Sequence, residues 1–210
     1  MQHIATSKRR GRPPKSSLER DEIRAGLIRA GTVALTEYNF SLAGIDGILR
    51  QVGVPKGSFY QYFDSKEHFG LAILDDYAGY FAHKLNKTLG NKSLAPLDRV
   101  RAFEENVCES MARFQFKRGC IVGNMAQEIG GIPEVFRARL DGIIQDWQAL
   151  LASCLRDAVA SGELSENTDC DELAEFFWTG WEGAVMRAKL RAERTPLDIF
   201  VRNFLAGLPR

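Results

Sequence analysis

The stretch "IDGILRQVGVPKGSFYQYF", residues 45–63, constrains this chain more than any other. Helical spacing at Ile45, Ile48 and Leu49 stops near Val52-Gly53. Pro55 then suits the first turn of a new helix, where its missing N–H costs nothing. A helix of about eight residues, a tight turn containing Gly53 and a short second helix with polar tips predict a helix-turn-helix. In that geometry the second helix enters the DNA major groove while the first braces it across the backbone.

The residue types in "PKGSFYQYF" fit that use. Lys56 lies in the first turn and can meet a phosphate, helped by the positive end of the helix dipole. Gly57 lets backbone approach backbone. Ser58 and Gln61 can reach base edges or phosphates, and Tyr60 and Tyr62 offer hydroxyls to phosphates and ring faces to thymine methyls. Phe59 and Phe63 share a face by i, i+4 spacing and should pack inward. Lys66 can clamp a further phosphate. The plainer alternative is a helical hairpin with aromatic packing. Against it, two tyrosines and a lysine crowd a helix of barely two turns, more aromatic surface than packing needs.

Around this unit the pattern is helical throughout, and the fold class expected is all-α. Helices are predicted over about 21–38, from Ser41 as a cap, over 55–63, and from a capping box "DSKE" (Asp64 as cap, Glu67 three residues on) to about Leu89. Further helices are expected over about 96–116, 121–129, 133–160, 171–191 and 196–206. The expected organisation is a disordered basic arm over 1–19, a helix-turn-helix domain over 20–66 and a helical ligand-binding and dimerisation domain over 67–210. The long helices over about 133–160 and 171–191 are the expected dimer surface.

Charge separates the ends of the chain. The net charge is +1, yet residues 1–20 carry six basic side chains against one acid. A basic arm on a mildly acidic body points to a polyanion partner at one end, or to a solvated tail. Four cysteines without a CxxC pair argue against zinc, and no metal or cofactor is expected. No N-terminal apolar stretch resembles a signal peptide, and no apolar run approaches the roughly 18 residues of a spanning helix. A cytoplasmic protein without a membrane association is therefore expected. His3, His68 and His83 are scattered, none beside a nucleophile motif, and there is no Gly-rich phosphate loop, so an enzyme is not expected.

The stretch "GIDGILRQVGVPKGSFYQYFDSKEHFGLAIL" strongly resembles the DNA-binding head of the TetR family of one-component transcriptional regulators, over roughly residues 22–74. The resemblance implies a homodimer that binds a palindromic double-stranded DNA operator and is released by a small effector held in a helical C-terminal domain. It implies that Lys56, Ser58, Tyr60, Tyr62 and Lys66 match positions that usually face DNA. In the arm, "RRGRPPK" looks like the core of an AT-hook, and Arg9, Arg10 and Arg12 could lie in a narrow minor groove.

Two segments of the body are effector candidates. "FFWTGWEGAVMRAKL" carries Trp178, Trp181, Glu182 and Arg187, on a stripe that suits a core or a dimer seam as well as a ligand box. Gly180 and Gly183 are costly within a helix, so something must pack closely there, most simply a dimer partner. "FKRGCIVGNMAQE" carries Arg118, Cys120 and Asn124. Lys117, Arg118 and a helix start at Ile121 can lower a thiol pKa, whereas a free cysteine is equally at home as a small buried residue. This second segment resembles one branch of the family, repressors that answer acrylate or electrophiles such as N-ethylmaleimide and methylglyoxal. The resemblance implies effector sensing at Cys120, covalent or reversible. Arg118, Asn124 or Arg187 could hold a carboxylate.

Overall fold

A computed structural model describes residues 17–128 and 130–210, and all regular structure among them is helical. The elements are α1 (Ser17–Glu37), α2 (Ile45–Val52), a 3₁₀ helix (Lys56–Gln61), α3 (Lys66–Leu89), α4 (Pro96–Arg113), α5 (Ile121–Ala126), α6 (Val135–Ala160), α7 (Cys170–Arg191) and α8 (Thr195–Ala206). The all-α expectation holds. Residues 17–19, expected within the arm, form the first turn of α1, where Glu19 suits the positive end of the helix.

Local chemistry explains where the elements begin and end, and corrects three expectations. Helix α2 follows Gly44 with no side-chain cap, so Ser41 does not cap it. It stops at Gly53, whose φ of 70° places it in the left-handed region that glycine adopts without steric cost. The element after Pro55 is a 3₁₀ helix rather than an α-helix. Its bonds run from Ser58 N–H to the Pro55 carbonyl and from Tyr62 N–H to the Phe59 carbonyl, the i to i+3 pattern of short helical pieces. The cap of α3 is Ser65, not Asp64: the Ser65 hydroxyl accepts from His68 N–H at 3.0 Å.

The head, α1 to the start of α3, closes on Phe59, Phe63 and Phe69, with ring centroids 4.7 to 5.7 Å apart. The body closes on a chain of rings from five helices. Phe81 of α3 lies 4.5 Å from Trp147 of α6, which lies 5.1 Å from Trp178 of α7. Phe103 of α4 meets Trp181 at 5.0 Å, and Phe177 meets Phe204 of α8 at 4.9 Å. Helix α3 belongs to both halves and runs unbroken from the head into this core.

Helix α6 turns its buried apolar residues onto α3, α4, α5 and α7. Helices α7 and α8 carry the exposed apolar side chains Phe176, Met186, Leu190 and Ile199, and Val135 is exposed at the start of α6. Gly180 is explained within the chain, because a Cβ there would come within 2.3 Å of the Phe200 ring. Gly183 meets nothing within 4 Å and lies on the open face.

Gly70 sits where head and body meet. A Cβ there would lie 2.6 Å from the Phe40 ring and 2.8 Å from the Phe136 ring, and those rings pack edge to face at 4.9 Å. Neither buried ring can yield by rotating a terminal methyl. Gly70→Ala is expected to lower stability by about 1–3 kcal/mol, read from urea unfolding midpoints. An unchanged midpoint would show that the contact is loose.

Candidate nucleic-acid interface and ligand pocket

The 3₁₀ helix presents Lys56, Gly57, Tyr60 and Gln61 to solvent, with Ser58 half-buried. Tyr60 is 73% exposed although it is a large aromatic residue. Its ring packs only edge-on against Phe59. Lys56 Nζ pairs with Asp46 at 2.8 Å, but both side chains are solvated and such a pair is weak enough to exchange for a phosphate. Two of the sequence candidates sit differently. Tyr62 is buried, at 9% exposure. Lys66 donates to the Phe40 carbonyl at 3.0 Å, with its ammonium 4.6 Å from the centre of the Phe40 ring, so it fastens the α1–α2 loop. Arg9, Arg10 and Arg12 lie outside the described residues.

The C-terminal end of α1 is held by the body. A helix end leaves its last carbonyls without partners. Here the Asn124 amide donates to the Leu35 carbonyl at 2.9 Å and the Thr36 carbonyl at 3.3 Å. Gly119 N–H donates to the Thr36 carbonyl at 2.9 Å. Lys189 of α7 donates to the Thr36 and Glu37 carbonyls at 3.2 Å each, a cation at the negative end of the helix. Arg118 pairs with Glu37 at 2.9 Å and stacks on Phe114 at 3.9 Å. Just beyond, the Glu128 carboxylate accepts from Phe40 N–H at 2.7 Å and Ser41 N–H at 3.1 Å. Asn124 is thus a capping residue rather than part of a ligand cage.

Behind this junction lies a cavity of about 290 Å³, walled by α1, α3, α4, α7 and residues 118–120. It brings together Cys120, Arg118, Trp181 and Glu182 of the sequence candidates. It excludes Trp178, which belongs to the aromatic core, and Arg187, which lies in the groove between α7 and α8. It adds Tyr77 and Lys84, which helical spacing alone reads as core and surface positions of α3. Lys84 donates to the Ser110 hydroxyl at 2.9 Å, and burial lowers its pKa.

Cys120 is the N-cap of α5. Its sulfur accepts from Gly123 N–H at 3.5 Å and is 8% exposed. The expectation that Lys117 and Arg118 acidify this thiol is overturned. Arg118 is engaged by Glu37 and Phe114, while burial and then the adjacent Glu182 carboxylate push the thiol well above its usual pKa. Glu182 itself is raised to about 7, by burial. One of its oxygens, Oε1, is shielded from solvent and has no hydrogen-bond partner. The other reaches so close to Gly123 that a Cβ there would come within 2.0 Å, so only glycine leaves room for this carboxylate. The Tyr77 hydroxyl completes the group, and burial followed by Cys120 raises its pKa.

Comparison with known proteins places the chain in a family. The model of bacterial regulatory proteins of the tetR family matches residues 27–73, and that of the tetracyclin repressor-like C-terminal domain matches residues 96–204. The chain belongs to the TetR family. It is 50% identical over 199 residues to the transcriptional regulator AcuR of Cereibacter sphaeroides, covering 93% of this chain and 89% of that protein. It is 26% identical over 188 residues to the HTH-type transcriptional repressor NemR of Escherichia coli K12, covering 88% and 94%. The crystal structure of regulatory protein TetR from Rhodobacter sphaeroides superposes with a TM-score of 0.86 at 49% identity, covering 89% of this chain and 98% of that one. The exposed 3₁₀ helix lies within the part matched by the tetR-family model, and the chain is a DNA-binding transcriptional regulator of that family. Among the described residues no helix is long and apolar enough to cross a membrane.

The buried carboxylate makes a stability prediction. A Glu whose folded pKa is raised binds more protons folded than unfolded between its usual value and about 7. Stability is therefore highest below the unfolded value and falls as pH rises through the folded one. Glu182→Gln, which cannot ionise, should gain on the parent by about 3 kcal/mol at pH 8 and show little difference at pH 4.5. Urea unfolding of both proteins across pH measures this, and a difference independent of pH would exclude an ionising Glu182.

Proposed function

We propose that this TetR-type repressor binds a palindromic operator as a homodimer and is released when a small effector enters the Cys120 cavity. The effector class is an acrylate-like unsaturated acid or a reactive electrophile. A reversible ligand of other small, apolar chemistry is the alternative. The observation that carries this reading is the double use of residues 118–124. Gly119 and Cys120 line the cavity, and Gly119 and Asn124 hold the end of α1. An effector that shifts the wall therefore shifts the hold on the head.

Tyr60, Gln61, Ser58 and Lys56 are the residues assigned to DNA, with Arg9, Arg10 and Arg12 of the basic arm. The head corresponds to residues 20–66 and the effector-binding and dimerisation part to 67–210, joined through the continuous helix α3. The apolar face of α7 and α8 supports pairing about a two-fold axis, which would set the two heads about 34–36 Å apart or a multiple of that. A cytoplasmic location follows from this role on DNA.

Operator fragments recovered from genomic DNA supply the probe for two tests. Tyr60→Ala should weaken operator binding at least about tenfold with an unchanged thermal midpoint, since the ring touches little of the core. Equal affinity would remove Tyr60 from the interface. Glu128→Gln should leave effector binding intact yet raise the effector concentration needed for operator release, or abolish the response, because the charged clamp on Phe40 and Ser41 is lost. Parent-like release would mean that the signal does not pass through this contact.

A further inference from the structure

The cavity holds a feature that a passive apolar pocket does not need. The Glu182 carboxylate and the Cys120 thiol line the same cavity, one carboxylate oxygen is buried and unpartnered, and the other lies where a side chain at residue 123 would collide with it. A buried unpaired acceptor is costly, and cavities in regulators can be lined more cheaply by apolar groups. A thiol shielded as deeply as Cys120 is also a poor nucleophile while it keeps its proton. The two groups solve one another's problem if the carboxylate takes that proton.

Resting on the covalent form of the proposed function, we infer that Glu182 is the general base that takes the Cys120 thiol proton as the sulfur adds to an electron-poor alkene held in the cavity. The Cys120 sulfur forms a bond to the β-carbon of the alkene, and the π pair moves to the α-carbon and its carbonyl. The thiol proton passes to Glu182 and is then delivered to the α-carbon. The net step adds S–H across the double bond, with no oxidant, reductant or leaving group. Tyr77 lines the same cavity and interacts with the Cys120 sulfur, so its hydroxyl can donate to the developing charge on sulfur or on the carbonyl oxygen.

The surroundings suit a base of this kind. Burial alone brings Glu182 to about 7, where a carboxylate is half-ionised at neutral pH and basic enough to accept a thiol proton. The other titratable groups around the cavity are Cys120, Tyr77, Tyr80, Lys84 and Arg118. Lys84 is engaged by Ser110 and Arg118 by Glu37, so neither neutralises the carboxylate. The α6 side offers Gln148 and α5 offers Gln127, neither ionisable. This geometry selects against pre-formed thiolate, so the sulfur reacts only with molecules that fit the cavity, not with every oxidant in solution.

The test is the rate of Cys120 alkylation in the native full-length protein by N-ethylmaleimide and by acrylamide. It is followed by intact mass and by peptide mapping that separates Cys120 from Cys108, Cys154 and Cys170. In the parent the rate should rise with pH and level off above about 7, following ionisation of Glu182. Glu182→Gln should slow the reaction about tenfold or more at pH 7.5 and leave a rate that climbs with hydroxide without a plateau. Glu182→Asp should recover part of the rate. Circular dichroism and unchanged protection of the other three cysteines verify the fold of each variant. The opposite result overturns the inference: a Glu182→Gln protein alkylated as fast as the parent or faster would show that the carboxylate only represses the thiol. Operator release without any adduct on Cys120 would also overturn it, while leaving the repressor reading standing. An adduct on Cys120 with no release would instead sink the effector assignment.

Discussion

The structure hangs on the carboxy-terminal end of α1. Three successive carbonyls there, at residues 35 to 37, have no partners within their own helix and take them from the body: Gly119, Asn124 and Lys189. Buried carbonyls left unpaired would each cost on the order of 1–3 kcal/mol. The head therefore has one well-satisfied seat on the body, and other poses must replace these bonds with water. Glu128 and Lys66 extend the same logic to the loop beyond α1, one accepting its N–H groups and one donating to its Phe40 carbonyl. A discrete seat of this kind gives a switch two states instead of a continuum.

The Cys120 cavity is built from the back of that seat. Thr36 contributes both to the cavity lining and to the capped end of α1, and residues 118–120 do the same from the body side. Helix α4 leads into this segment through Gln115 and Phe116, which both have positive φ, at 54° and 56°. Two consecutive non-glycine residues in that region cost of order 1 kcal/mol or more each, and they persist only where the surroundings hold them. Their N–H groups donate to the Ala112 and Met111 carbonyls of α4, which hold the turn that leads to Cys120.

Much of the architecture was legible because it is written in local patterns. Helical spacing, Pro at helix starts and the Gly53 stop gave the element order to within a few residues. Gly-Val-Pro followed by a Lys-Gly-Ser-aromatic run marked the reading head. The errors arose where distant partners decide. Ser65 rather than Asp64 caps α3, a choice between adjacent residues that both have the chemistry. Lys66 looked free for phosphate, but its partner is a carbonyl 26 residues earlier. Asn124 read as a carboxylate ligand because nothing near it in sequence indicates that it caps α1. Lys117 and Arg118 beside Cys120 suggested an acidic thiol. The neighbour that matters electrostatically is Glu182, and it acts in the other direction. Tyr77 was hidden for the same reason, since its spacing to Phe81 is that of an ordinary core stripe.

The size of the effector bears on how it must act. Moving a two-state equilibrium from 1:99 to 99:1 takes about 5.5 kcal/mol of differential affinity. Very small ligands reach at best about 1.5 kcal/mol per non-hydrogen atom. An unsaturated acid of five such atoms is then limited to about 7.5 kcal/mol in all. A reversible mechanism would have to direct nearly three quarters of that limit to telling one state from the other, leaving about 2 kcal/mol as the affinity for the disfavoured state. A carbon–sulfur bond at Cys120 is not subject to this ceiling. Once formed, the adduct occupies a cavity of about 290 Å³ at an effectively unlimited local concentration, and the whole of its steric and polar mismatch with the DNA-bound state is available to shift the balance. For a small effector a reversible switch therefore operates near the limit of its binding energy, whereas covalent capture does not.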